Sequence, residues 1–316
     1  MLAKIRRIPA GTFLVPLILS MITYTIWPDL FMIGGLTQAL FSGQSVGFIA
    51  AILTFFSGTL IDVKQLGNLI KRQGLLFLYK AFFSMLLAWG YILLFGQEGI
   101  LGISGLAFAS TITSVNTAIY LLTAKSYGTK LDTGAYGLFG ILSLPVLPII
   151  LYSLLYSGGG SAIDLTPVFS ILIPLILGVI LGNLDEDFTE LFAPGISAIL
   201  PFLGWNVGQG VNLIEAIRSG LPGLLLTAFF ILTMSTLIIL DKNILKNDGL
   251  YGMALMTVAG LSTSSPAIVA ATFPQVEQYV SGATTQVLLV SVLTSVGMPI
   301  IIARVARRMN KKTNRL

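Results

Sequence analysis

An α-helix needs about 20 predominantly apolar residues to cross a bilayer, and this 316-residue chain reads as ten such stretches in succession. They fall at 11–27, 44–61, 74–95, 99–125, 133–157, 166–182, 194–212, 220–240, 249–272 and 282–303, joined by short polar segments. In hydrocarbon each stretch must satisfy its own backbone, and a helix does so without partners. Composition agrees, with 55% of residues hydrophobic and 10% charged, where soluble domains carry about a quarter charged. The glycines and prolines lie in apolar surroundings, as in membrane helices, and not in the polar stretches that mark disorder. The stretch 30–41 is apolar but short and glycine-rich, so it reads as an interfacial or re-entrant piece. The first span follows Lys4, Arg6 and Arg7 but contains Pro16 and no small-x-small cleavage site follows it. It therefore reads as a retained helix and not as a signal peptide.

Ten spans place both termini on one side. Assigning that side to the cytoplasm puts 16 of the 18 Lys and Arg residues there, the bias expected of short cytoplasmic loops. Arg218 lies outside, and Lys80 lies within the third span, where its long stem allows the ammonium to snorkel. The basic tail from Arg304 suits the anionic inner leaflet.

The two halves, 1–157 and 166–316, resemble each other. At an offset of 150, Gly99 and Gly102 meet Gly249 and Gly252, and Gly58 and Asp62 meet Gly208 and Asn212. Near the start of each half, Pro16 with its apolar neighbours echoes Pro174. Five spans per half is an odd number, so the second copy is inverted. Inverted repeats characterise secondary transporters, whose sites lie at the midplane between discontinuous helices.

Spans four and nine carry the chemistry. Span four holds Ser110, Thr111, Thr113, Ser114, Asn116 and Thr117, and span nine holds Ser262, Thr263, Ser264, Ser265 and Pro266. At the common offset Thr113 faces Thr263, and Asn116 faces Pro266. Polar groups at this depth are costly unless they face a cavity or one another. Pro266 removes a backbone donor and would break its helix. The resulting half-helix ends suit a carboxylate. The plainer reading is that the hydroxyls bond back to their own helices or join helices together. Gln209 and Asn212, with Asn206, end span seven and could line the same cavity or cap a helix; Asp62 at the end of span two has the same two readings. The run Asp185–Glu186–Asp187 reads as a solvated turn. With no histidine or cysteine, the chain holds no His/Cys zinc site, thiol nucleophile, disulfide or Ser-His triad. Its scattered basic residues make no nucleic-acid surface. No cofactor is expected.

The ordered set Lys4-Ile-Arg-Arg-Ile-Pro9-Ala-Gly11, Leu14-Val-Pro16-Leu, Tyr127-Gly128-Thr129, Leu181-Gly182-Asn183-Leu184-Asp185, Asp248-Gly249 and Ala259-Gly260 with Pro266 resembles the bacterial 2-keto-3-deoxygluconate permeases over essentially the whole chain. The resemblance implies a proton-coupled importer of a sugar acid in the bacterial inner membrane. It also implies the bile-acid/auxin-carrier type of fold: ten helices in two inverted five-helix repeats, with broken helices four and nine crossed. It further implies acidic residues where Thr113 and Leu142 stand here, and an Asn…Asp pair where Gln209 and Asn212 stand. Asn116 matches. With those acids absent, Asp62 is the remaining carboxylate for proton coupling.

The expected protein is an all-α polytopic carrier of a small organic anion working by alternating access. Its substrate-binding candidates are Thr113, Ser114, Asn116, Thr263, Ser264, Ser265, Gln209 and Asn212. Its ion-coupling candidates are Asp62, Thr113, Asn116 and Ser262. Proton coupling, a sodium site of neutral oxygens and uncoupled diffusion stay open, and a homodimer is compatible with all three. A membrane enzyme lacks acid–base groups here. A channel would repeat one span about an axis instead of inverting a half.

Overall fold

The computed structural model describes residues 5, 11–42, 45–129, 132, 135–156, 166–209 and 218–313, and these residues are helical with no strand. In chain order the helices are α1 (Gly11–Ile26), α2 (Gly35–Phe41), α3 (Val46–Thr59), α4 (Val63–Phe95), α5 (Gly105–Ile112), α6 (Thr117–Tyr127), α7 (Tyr136–Gly140) and α8 (Val146–Tyr156). They continue as α9 (Thr166–Leu184), α10 (Glu186–Gln209), α11 (Gly220–Met234), α12 (Thr236–Ile239), α13 (Leu250–Ala254), α14 (Ser265–Thr272) and α15 (Val280–Thr313). By length and composition, five stretches among the described residues can cross a membrane: Ile70–Phe95, Gly105–Ala124, Glu186–Gln209, Gly220–Ile244 and Pro274–Met309. The pair α2 and α3, bent by 60°, makes a sixth if counted as one span. The end of the short stretch at 30–41 thus forms a helix, Gly35–Phe41, set at an angle to the one that follows.

Packing sorts the helices into two groups. In the first, α1 lies along α10, and α3 lies along both α9 and α10. Small residues allow these backbones to approach closely, as in membrane helix pairs generally. A β-carbon on Gly178 of α9 would lie 2.0 Å from the Phe55 carbonyl oxygen of α3, and one on Gly204 of α10 would lie 2.2 Å from that of Phe13 of α1. The corner between α3 and α4 is fastened by Asn183, whose amide nitrogen donates to the Ile61 carbonyl at 2.7 Å while its oxygen accepts from the Val63 N–H at 2.9 Å. The Leu181–Asp185 landmark therefore has a structural use.

The second group is built around α15, which packs against α5, α6, α11, α13 and α14, while α4 packs against α5 and α8. Before α5, the Tyr91 hydroxyl donates to the Ile103 carbonyl at 2.7 Å and accepts from the Ile100 N–H at 3.0 Å. Its ring stacks on Phe108, with centroids 4.1 Å apart. The connection needs left-handed backbone at Gly99 and Gly102, which glycine adopts freely. Before α13, Asp241 sits in a π-helical turn, Leu240–Ile244, of the kind often found at functional places. Its carboxylate accepts from the Gly252 N–H and from the Asn247 amide, both at 2.9 Å. Tyr91 and Asp241 stand 150 apart in sequence and anchor the two comparable connections. Lys80 and Phe230 also stand 150 apart, and they touch: the Lys80 Nζ lies 4.9 Å from the Phe230 ring centroid.

Candidate functional site

The helices are interrupted in both places, at the expected register in the first half and at a different one in the second. Helix α5 ends at Ile112, residues 114–116 are non-helical with Asn116 extended, and α6 starts at Thr117. In the second half α13 ends at Ala254, and residues 257–259 have no regular secondary structure. Pro266 is not at the break; it lies in the first turn of α14, where no backbone donor is required. Thr257–Ala259, not Thr263–Pro266, therefore faces Ser114–Asn116.

The two breaks are joined to each other. The Asn116 N–H donates to the Thr257 carbonyl at 2.8 Å, and the Ala259 N–H donates to the Ser114 hydroxyl at 3.1 Å. The Ser114 hydroxyl donates to that of Ser262 at 2.6 Å, and Ser262 donates on to the Ser143 carbonyl at 3.2 Å. From α15, the Thr294 hydroxyl accepts from the Val258 N–H at 3.0 Å, while Ser295 donates to the Val258 carbonyl at 3.4 Å. Asn116 caps α6, its side-chain oxygen accepting from the Ala118 N–H at 3.1 Å while its amide donates to Ser295 at 2.8 Å. Exposed peptide groups in a membrane interior cost several kcal/mol each. These partners hold the unwound backbone in one geometry.

A cavity of about 220 Å³ opens beside this crossing. Asn116, Thr117 and Ala118 from the start of α6, Ala259–Leu261 from the second break, and Gly140 and Ser143 line one side. Ser57 in the last turn of α3 and Leu60 just after it, with Ile196 and Leu200 of α10, line the other. The cavity thus lies between the two helix groups. The first turn of α6 faces it, so the positive end of an 11-residue helix is presented to its contents.

The predicted residues divide accordingly. Asn116 lines the cavity, and Ser114 and Ser262 tie the breaks together behind it. The hydroxyls of Thr113 and Ser264 bond back to the Ala109 and Leu261 carbonyls, the plainer of the two readings. Thr263 and Ser265 are buried, and the Thr263 hydroxyl has no hydrogen-bond partner among the described residues. The Gln209 amide donates to the Met32 sulfur at 3.2 Å, and Gln209 does not line the cavity. Asn212 lies outside the described residues. Asp62 is exposed just before α4, where its carboxylate accepts from the Lys64 N–H at 2.8 Å. That bond caps the start of α4, and Asp62 does not line the cavity beside the crossing. Lys80 does not snorkel: its side chain is fully buried, with Nζ 2.8 Å from the Ile112 carbonyl oxygen. Sequence reading passed over Ser57, Ser143, Thr294 and Ser295, whose only signal is being polar exceptions inside apolar spans.

A polar cluster outside the crossing ties α4 to the segment after α6. Arg72 donates to the buried Asp132 carboxylate through Nε at 2.5 Å and Nη2 at 2.9 Å, and the Gln73 amide donates at 3.0 Å. The Thr129 N–H and hydroxyl add bonds of 2.8 and 2.7 Å. Burial pushes the Asp132 carboxyl upward, but these donors outweigh it and hold it down at about 2.

The sequence matches the family described as 2-keto-3-deoxygluconate permease over residues 2–311. It is 32% identical over 313 residues to the 2-keto-3-deoxygluconate permease of Enterobacter sp. (strain 638), covering 97% of this chain and 93% of the relative. It is 30% identical over 313 residues to the protein of that name from Xanthomonas euvesicatoria pv. vesicatoria, covering 97% of each. It is 28% identical over 310 residues to 2-keto-3-deoxygluconate permease 1 of Salmonella typhimurium, covering 98% of this chain and 96% of the relative. No solved structure matches the chain.

Proposed function

This chain belongs to the 2-keto-3-deoxygluconate permease family, a multi-pass membrane transporter and not an enzyme, and on that premise we propose that it imports 2-keto-3-deoxygluconate by proton symport. The observation that carries the reading is the cavity between the two helix groups, with the start of α6 opening on it. A carboxylate placed there meets the positive end of α6 at Thr117, beside the Ala118 N–H that Asn116 caps. The Ser57 and Ser143 hydroxyls and the peptide groups at Ala259–Leu261 are within the same walls and suit a polyhydroxy acid.

In this reading α1, the α2–α3 pair, α4, α5–α6, α7–α8, α9, α10, α11–α12, α13–α14 and α15 are ten spans in two inverted repeats. Both termini are cytoplasmic, and the protein lies in the bacterial inner membrane. The contact of Lys80 with Phe230 and the matched roles of Tyr91 and Asp241 support the repeat. Alternating access follows from movement of the α15-centred group against the group of α1, α3, α9 and α10, which would open the cavity first to one side and then to the other. The substrate carries its charge through a site with no carboxylate of its own to repel it.

Counterflow tests the reading without a driving gradient. Liposomes holding the purified protein and loaded with unlabelled 2-keto-3-deoxygluconate should take up the labelled acid transiently and saturably. Excess 2-keto-3-deoxygluconate outside should suppress that uptake, and a neutral sugar should not. Absence of counterflow from protein that is folded in the bilayer would sink the substrate assignment, and uptake that never saturates would point to a pore.

A further inference from the structure

We infer that Lys80 carries the coupling proton, its ammonium occupying the place at the end of α5 where a bound cation would otherwise sit; this rests on the symport reading above. Lys80 is fully buried in α4. Its Nζ lies 2.8 Å from the Ile112 carbonyl oxygen and 3.2 Å from the Met234 sulfur, with the Phe230 ring centroid 4.9 Å away. An ammonium has three donors, and here it meets a carbonyl, a thioether and a ring face.

The position of Ile112 matters. It is the last residue of α5, and its carbonyl belongs to the final turn, whose oxygens have no partner within the helix. The C-terminal end of a half-helix beside an unwound segment carries partial negative charge and is where discontinuous-helix transporters hold their cations. In this chain that end is occupied by a side chain.

Among the described residues no charged group is bonded to Lys80. Helices α5 and α11, which supply its contacts, contain no acidic, basic or tyrosine side chain. Tyr91 of the same helix is bonded to Ile100 and Ile103, and Tyr152 of α8 donates to Gln97. Asp241, beyond α11, is bonded to Asn247 and Gly252, and Tyr120 of α6 donates to the Asp132 carbonyl. Asp132 is paired with Arg72. Among the described residues no carboxylate therefore fixes the proton on Lys80, and its release leaves no unpaired anion behind.

The step is a proton transfer in balance. When the site opens inward, an N–H bond of the ammonium breaks, its electron pair stays on Nζ, and the proton passes to cytoplasmic water. When the site opens outward, the amine takes a proton from water, and the sugar-acid anion enters beside the restored charge. One proton then accompanies one monoanion, and the cycle moves no net charge.

Proteoliposomes containing wild-type, Lys80→Met or Lys80→Arg protein separate this from its rivals, with counterflow and gradient-driven accumulation of labelled 2-keto-3-deoxygluconate measured side by side. An inward proton gradient of one pH unit supports about tenfold accumulation at one proton per anion. Wild type should approach that, and a sodium gradient alone should give none. Both variants should keep counterflow while accumulation falls to about onefold. Tenfold accumulation by Lys80→Met would overturn the inference, and the same result with Lys80→Arg would show that a fixed charge suffices. Counterflow with accumulation driven only by sodium would also overturn it, whereas no counterflow in wild type would instead remove the substrate reading. A milder variant, Phe230→Leu, takes away the ring face but keeps the lysine. It should move the pH of half-maximal accumulation by about half a unit or more, and an unchanged profile would count against the inference even if the Lys80 variants fail to fold.

Discussion

Asn116→Ala should lower transport at subsaturating substrate by on the order of 10²-fold, the cost of misplacing a binding geometry by about an ångström. The side chain has two simultaneous tasks: its oxygen caps α6 at Ala118, and its nitrogen holds Ser295 of α15. Alanine performs neither. Loss of the cap alone should cost about 1 kcal/mol of stability, and the first turn of α6, which lines the cavity, loses its anchor. Asn116→Asp separates structure from function. Aspartate caps a helix as well as asparagine does, and Ser295 can donate to it, so the fold should survive. The new carboxylate would stand where the substrate's carboxylate is proposed to bind, so uptake should still be lost. Initial uptake rates and thermal melting of both variants check this; normal uptake by Asn116→Asp would place the anion elsewhere.

The second large effect concerns stability. Asp132→Asn should destabilise the protein by about 3 kcal/mol. Its carboxylate accepts from Arg72, Gln73 and Thr129, and an amide can repeat only part of that pattern. Arg72 is 41% exposed and can rehydrate, which keeps the loss from being larger. The pH dependence follows from the depressed carboxyl. Its stabilising contribution is complete above the unfolded value of about 3.9 and fades as pH falls through the folded value of about 2. Between pH 5 and 2 the wild type should therefore lose more stability than the variant, as urea or thermal melts in detergent would show. Parallel curves would mean that Asp132 does not titrate as the geometry requires.

Much of this molecule was legible in its sequence because a bilayer allows so few backbone solutions. Apolar length marked a helical, multi-pass chain, of which five or six stretches among the described residues are long enough to cross a membrane, and the polar cluster at Ser114–Asn116 coincides with an interruption between two helices. The register of the second break was not legible. Pro266 looked like a helix breaker, yet a residue without an N–H fits equally well in a first turn. The deciding contacts, from Asn116, Thr294 and Ser295 to Thr257 and Val258, come from other helices. Lys80 misled for a related reason: a lysine a turn or two inside a span can reach water, and only the packing of Met234 and Phe230 around it shows that it turns inward. Asp62 drew notice as a carboxylate near a membrane, and its exposed carboxylate accepts from the Lys64 N–H at the start of α4. Hydroxyl residues gave the weakest guide, since Thr113 and Ser264 satisfy themselves while Ser114 and Ser262 join two breaks.

The central claim is that the sugar acid sits in the cavity between the two helix groups. The most direct measurement is calorimetric titration of 2-keto-3-deoxygluconate into purified wild-type protein and into Ala118→Trp. Ala118 is exposed to the cavity from the first turn of α6, so an indole there would fill space the ligand needs without disturbing a packed core. A ligand seated in the cavity should give saturable heat in the wild type and none in the variant, with both melting at the same temperature. Equal binding by the two would contradict it and move the site away from the crossing.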